Sequence, residues 1–220
     1  MEGKKMNNLR DRVWLGLSFS AFFTLDLLLT KPAEAHHAMG GKIPTNFFEG
    51  FLSGLAHPII GLDHFAFIVA MGLLAIGHRW ALLIPASFVM SAMTGTLLHV
   101  MRVDLPFSEV AIALSVIIVG VMLARKNNLS TIILAIGAGF AGLFHGYAYG
   151  ESIVGAQMTP LFAYLGGFTV IQFVVAMLAF VAGDFVQQKW ENPNASKALQ
   201  FSGVAISLIG GLFLTRAISL

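Results

Sequence analysis

The sequence predicts an all-α, polytopic transmembrane bundle of six spans, preceded by a removable N-terminal leader. Hydrophobic residues make up 57% of the chain and Asp, Glu, Lys and Arg only 11%. A soluble domain carries roughly 25% charged residues, so the deficit makes lipid the solvent for most of the surface. The apolar runs are continuous rather than alternating, which favours helices over a barrel. The 220 residues suffice for roughly six or seven helices of about 20 residues in one bundle. A formal charge of +2 gives no basis for nucleic-acid binding, and the lack of cysteine excludes disulfides, thiolate metal sites and covalent haem attachment.

The first 35 residues read as a signal peptide. Lys4, Lys5, Arg10 and Arg12 precede the apolar run Val13 to Leu29, and Ala33-Glu34-Ala35 supplies a small-residue cleavage pattern. Cleavage there leaves residues 36–220 as a single six-helix membrane domain that begins His36-His37. A free α-amine, the next backbone nitrogen and the His37 imidazole form a nitrogen-rich chelate suited to Ni²⁺, Cu²⁺ or Co²⁺; the alternative is a plain processed tail.

Six hydrophobic segments follow, at about 47–76, 80–101, 106–124, 131–150, 160–186 and 198–218. Polar breaks separate them, among them Arg125 to Asn128 and the hydrophilic turn Glu191-Asn192-Pro193-Asn194. With the mature start outside, the inner loops hold Arg79, Arg125, Lys126, Lys189 and Lys197, and the outer regions hold Lys42, Arg102 and Arg216. That mild bias places the basic residues inside and both mature termini on the exported side of the inner (cytoplasmic) membrane. The segments divide three plus three, with the polar motifs on the first helix of each half, which suggests inverted halves around a transport site.

The first segment contains His57-Pro58-Ile59-Ile60-Gly61-Leu62-Asp63-His64. An ionisable group costs about 2.5–3.5 kcal/mol at the centre of a membrane helix, so these groups are expected to face a cavity, a partner or an ion. In a regular helix two imidazoles seven residues apart lie on one face but ~10 Å apart along the axis. Pro58 removes a backbone donor and Gly61 weakens the turn, so a kink is expected here. With it, His57, Asp63 and His64 are drawn to one ion; without it, they form successive stations. Imidazole and carboxylate are ordinary ligands for divalent transition metals.

The fourth segment holds Phe144-His145-Gly146-Tyr147-Ala148-Tyr149-Gly150-Glu151. Ala138, Gly142, Gly146 and Gly150 recur every four positions, a seam on which a neighbouring backbone can close. His145 and Tyr149 lie one turn apart beside it and should point into the bundle. A bulky residue at Gly146 is expected to displace His145 from the first helix, and alanine there to be milder.

These residues resemble the HupE/UreJ family of nickel and cobalt permeases. The HPxxGxDH pattern is intact at His57 to His64, and an FHG-led motif follows in a later span. The second motif departs from the FHGxAHGxE form: Tyr149 replaces the second histidine, and Ser152 occupies the position of the glutamate, with Glu151 one residue earlier. The resemblance covers essentially the whole mature chain. It implies secondary uptake of Ni²⁺ or Co²⁺ as transported substrate, with no permanently bound cofactor.

The resulting reading assigns capture to His36, His37 and Glu151, reception within the bundle to His99, His57 and His145, and inward passage to Asp63 and His64. His99 and Glu109, near the outer ends of the second and third spans, are candidates for an access route. His78, beside Arg79, reads as solvated; Gln172 and Asp184 read as structural hydrogen-bonding groups. The ten methionines lack the clustering of a soft Cu(I) path. Partners are the lipid bilayer and a divalent metal ion, and a homo-oligomer is compatible with the sequence. No nucleotide-binding motif is present. The alternatives are an intramembrane metalloenzyme, for which no HExxH or Ser/His pair is found, and a membrane haem protein with paired histidines.

Overall fold

The computed structural model describes residues 42–125, 129–189 and 194–219, and every regular element in them is helical. The segment expected to be a signal peptide, together with His36 and His37, lies outside the described residues. The elements are α1 (Phe47–Ile60), α2 (Leu62–Leu74), α3 (Leu83–Val100), α4 (Ser108–Ala124), α5 (Thr131–Gly150), a 3₁₀ turn (Glu151–Ile153), α6 (Met158–Lys189) and α7 (Asn194–Ala217). Each of the six apolar segments thus contains helix.

Local chemistry sets the starts. The Asn46 side chain accepts the Glu49 N–H at 3.0 Å, while the Glu49 carboxylate reaches back to the N–H (2.8 Å) and hydroxyl (2.9 Å) of Thr45. This reciprocal box satisfies donors that the first helical turn leaves orphaned. Ser130 caps α5 through the Ile133 N–H.

The first segment is broken where Pro58 and Gly61 predict it: α1 and α2 meet at Gly61 with a bend of 82°. Pro58 cannot donate to the carbonyl one turn back, which weakens the end of α1. The remaining helices differ in reach. α3, α5 with its 3₁₀ extension, α6 and α7 are long and apolar enough to cross a membrane, and the bent pair, taken as one span, makes a fifth. α4 is apolar but has 17 residues, about 25 Å of rise against a hydrocarbon core of roughly 30 Å. Among the described residues, length and composition therefore reach four or five spans, fewer than the six expected.

Glycine seams fix how the helices pair. Cβ atoms on Gly142 and Gly146 of α5 would overlap the backbone carbonyls of Phe88 and Ala92, and one on Gly95 of α3 would overlap that of Leu143. The seam therefore closes on α3, the second segment, and not on the first helix as the sequence suggested. Gly50, Gly54 and Gly167 bring α1 and α6 together in the same way, and Gly120, Gly203 and Gly210 join α4 to α7. Matching positions rise together in α1/α6 and α3/α5 and run oppositely in α4/α7, so the first two pairs are parallel and the third antiparallel. Without water to drive association, such close backbone packing holds helices together in lipid.

The core has two parts. One gathers Phe67, Ile68, Met71, Ile84, Phe88 and Val116 from α2, α3 and α4. The other surrounds the second motif with Tyr149, Ile153, Leu161, Tyr164 and Phe168. Many large apolar side chains on the outer faces are exposed, among them Phe140, Phe162, Leu178 and Phe201, as lipid contact requires.

Candidate functional site

The break at Gly61 brings the two motifs together. His57, Asp63, His64, His145 and Tyr149 are all buried. The His57 and His64 ring centroids lie 6.2 Å apart, well under the ~10 Å of axial rise that seven residues span in a straight helix. The bend removes that separation by turning α2 back toward the end of α1.

Gly61 makes room for the turn. A Cβ there would sit 2.6 Å from Cδ2 of His64 and 3.4 Å from an Asp63 carboxylate oxygen. The backbone at Gly61 (φ −72°, ψ 103°) suits any residue, so the need is for space rather than for conformational freedom. Gly61→Ala is therefore expected to displace the His64 imidazole and cut uptake severalfold at near-normal abundance. Abundance-corrected uptake equal to that of the unaltered chain would contradict this.

α5 contributes from one face. His145, Tyr149 and Ser152 follow at spacings of four and three, so all three project toward the break. The His64 and His145 Nδ1 atoms are 2.8 Å apart. His145 Nε2 lies 3.0 Å from the Ser115 hydroxyl of α4, and its ring packs against Phe67 (4.4 Å between centroids) and Phe88 (5.5 Å). His57 Nδ1 lies 2.7 Å from the Ser152 hydroxyl. Between these two groups stands Tyr149, its ring centroid 5.2 Å from His57 and 4.6 Å from His64. The Tyr149 hydroxyl is buried with no hydrogen-bond partner among the described residues. Its backbone carbonyl accepts the Tyr164 hydroxyl at 2.8 Å, tying α6 to the cluster.

The grouping is a row and not a cage. Among the described residues no set of three His, Asp or Glu side chains is arranged to hold a metal ion. The imidazoles stand in succession, that of His57 6.2 Å from that of His64 between centroids and that of His64 in contact with that of His145. One Asp63 oxygen accepts the backbone N–H of His64 at 2.9 Å, serving the first turn of α2.

The other candidates lie apart from the buried row. His99 is half-buried and donates its Nδ1–H to the Tyr147 carbonyl at 2.8 Å. That carbonyl is available because the Glu151 N–H turns to Ala148 as the helix tightens into its 3₁₀ end. Glu151 and Glu109 are exposed, and neither joins the row. His78 is half-buried and hydrogen-bonds the Thr131 hydroxyl at 3.1 Å, so the solvated reading is corrected: it ties the loop after α2 to the start of α5. Gln172 is buried and donates to the Phe168 carbonyl, while Asp184 accepts from Gln188. Sequence reasoning missed Ser115 and Tyr164 and gave Ser152 no role. Ser152 was findable, lying seven residues from His145 on the same face; Ser115 and Tyr164 sit in apolar segments with no motif around them.

The profile of the family described as HupE / UreJ protein matches residues 24–213. A curated relative, Protein HupE from Rhizobium leguminosarum bv. viciae, is 31% identical over 164 residues, covering 74% of this chain and 82% of that protein. No solved structure matches. A profile match over most of the chain and a relative aligned across most of both lengths lead to one conclusion: the protein belongs to the HupE/UreJ family, which is generally tied to nickel and cobalt transport.

Proposed function

We propose that the chain is a secondary permease, and not an enzyme, that carries Ni²⁺ or Co²⁺ inward across the cytoplasmic membrane. The observation that carries this reading is the buried row His57–Tyr149–His64–His145, placed at a broken helix inside an apolar bundle. Imidazole nitrogens suit these ions. A row that offers few donors at each point favours passage, since an ion held by a full cage would not leave.

Six spans in two inverted halves accommodate the helix pairing. If α1 with α2, then α3 and α4, form one half and α5, α6 and α7 the other, then the first helix of each half lies parallel to the second of the other. The third helices are antiparallel, as an axis in the membrane plane requires. Rocking of one half against the other around the bend at Gly61 alternates access. His36 and His37 begin the mature chain on the exported side and capture the ion, with Glu151, His99 and Glu109 on the approach.

Two experiments test the reading. Cells expressing the chain should accumulate Ni²⁺ or Co²⁺ above an empty-vector control, and accumulation of neither ion would overturn it. N-terminal sequencing of the inserted protein should begin at His36; a retained Met1 would remove capture by the free amine and His37.

A further inference from the structure

We propose that Ser115 on α4 is a positioning residue that sets the tautomers of both imidazoles beyond it, so that His64 presents Nε2 to the ion. The inference deepens the permease reading and rests on it only for the use made of that nitrogen.

The argument is a proton count. The Ser115 hydroxyl lies 2.7 Å from the Ile112 carbonyl oxygen, which can only accept. Two oxygens that close need the proton between them, so the single hydroxyl proton of Ser115 goes to Ile112. Toward His145, 3.0 Å away, Ser115 can then only accept. His145 must carry its proton on Nε2, and in a neutral imidazole its Nδ1 is left with the lone pair. The 2.8 Å contact between the two Nδ1 atoms is therefore donated by His64. With its proton on Nδ1, neutral His64 has its lone pair on Nε2. The direction of every bond in the relay follows from one backbone carbonyl on α4.

The roles of the histidines separate as a result. His145 has its lone pair engaged by His64 and its N–H by Ser115, while its ring is held against Phe67 and Phe88. It orients His64 in the way that an outer-shell partner orients a metal-ligating imidazole. Histidine without such a neighbour is free to place its proton on either nitrogen, and the hydrogen bond at one nitrogen decides the other. Ser115 also lines a cavity of about 420 Å³ with Phe67, Met71 and Ala141, so a threonine methyl has room there.

Solid-state ¹⁵N NMR of histidine-labelled, metal-free protein in lipid bilayers reads the tautomers directly. Signals are assigned by their loss in His64→Gln and His145→Gln. His64 should be protonated at Nδ1 and His145 at Nε2. Ser115→Ala should mix both tautomers and raise the KM for Ni²⁺ uptake roughly 10-fold, the scale typical of outer-shell partners, whereas Ser115→Thr should keep the pattern and the uptake. His64 protonated at Nε2 in the unaltered chain overturns the proposal whether or not the variants fold. So does Ser115→Ala with an unchanged pattern, or with mixed tautomers and unchanged KM. The expected tautomers in a chain that transports neither ion would instead sink the permease reading and leave the tautomer assignment standing.

Discussion

Gly146→Leu is expected to abolish uptake and to lower the amount of folded protein. A Cβ at this position would already overlap the Ala92 carbonyl, with the Ala92 Cα 2.5 Å away. These are backbone atoms, which cannot swing aside as a side-chain tip can, so α5 must move away from α3 as a body. Inserted bulk in a packed core costs typically about 1–3 kcal/mol and sometimes more, and a helix–helix backbone contact belongs at the upper end. Gly146→Ala introduces that same Cβ, so it should fail in the same direction, and to a lesser degree because it adds only one methyl group. His145 loses its place with α5, and the Thr96 hydroxyl loses the Gly146 carbonyl at 2.8 Å and keeps only that of Ala92 at 3.1 Å. The check is abundance-corrected uptake together with a crosslinking distance between α3 and α5. Normal uptake by Gly146→Ala at an unchanged distance would show that the seam does not position the site.

Asp63→Ala and His64→Ala carry the second large effect. Each should reduce uptake in cells to near background while leaving insertion and abundance intact. Removing a carboxylate such as Asp63 from a membrane helix relieves a cost of about 2.5–3.5 kcal/mol, and His64→Ala removes a polar ring, so insertion has no reason to suffer. His64 is the residue through which the row connects α2 to both Tyr149 and His145, and the Asp63 carboxylate holds its backbone N–H at 2.9 Å. Immunoblotting of membranes beside metal accumulation checks both parts. Transport by both variants at the unaltered rate would remove α2 from the pathway.

Much of this arrangement was legible in the residues. Long, continuous apolar runs marked the helices because a helix satisfies its backbone groups within one segment, whereas a barrel needs alternating strands. Pro58 and Gly61 marked the break because one lacks a donor and the other lacks a side chain. What stayed hidden depends on neighbours in space. The spacing of Gly142, Gly146 and Gly150 marks a close-packing face, but not which helix fills it, and the filler proved to be α3. Ser115 looks like any hydroxyl in an apolar segment until α4 is laid beside His145. Glu151 attracted attention for its charge, yet rotation by one residue at the end of α5 turns it outward and puts Ser152 against His57. The five-residue gap between His57 and Asp63 could not say whether the bend would build a cage or a row, nor that the His64 ring would meet His145 of a different helix.

The central claim is that this chain alone moves a divalent metal ion along that row. Purified protein sealed into lipid vesicles, with Ni²⁺ or Co²⁺ outside and a chelating dye inside, tests it without any other cellular component. The account predicts saturable accumulation by the unaltered chain and none by His64→Ala reconstituted at equal density. Vesicles carrying the unaltered chain that accumulate no more of either ion than protein-free vesicles would contradict it.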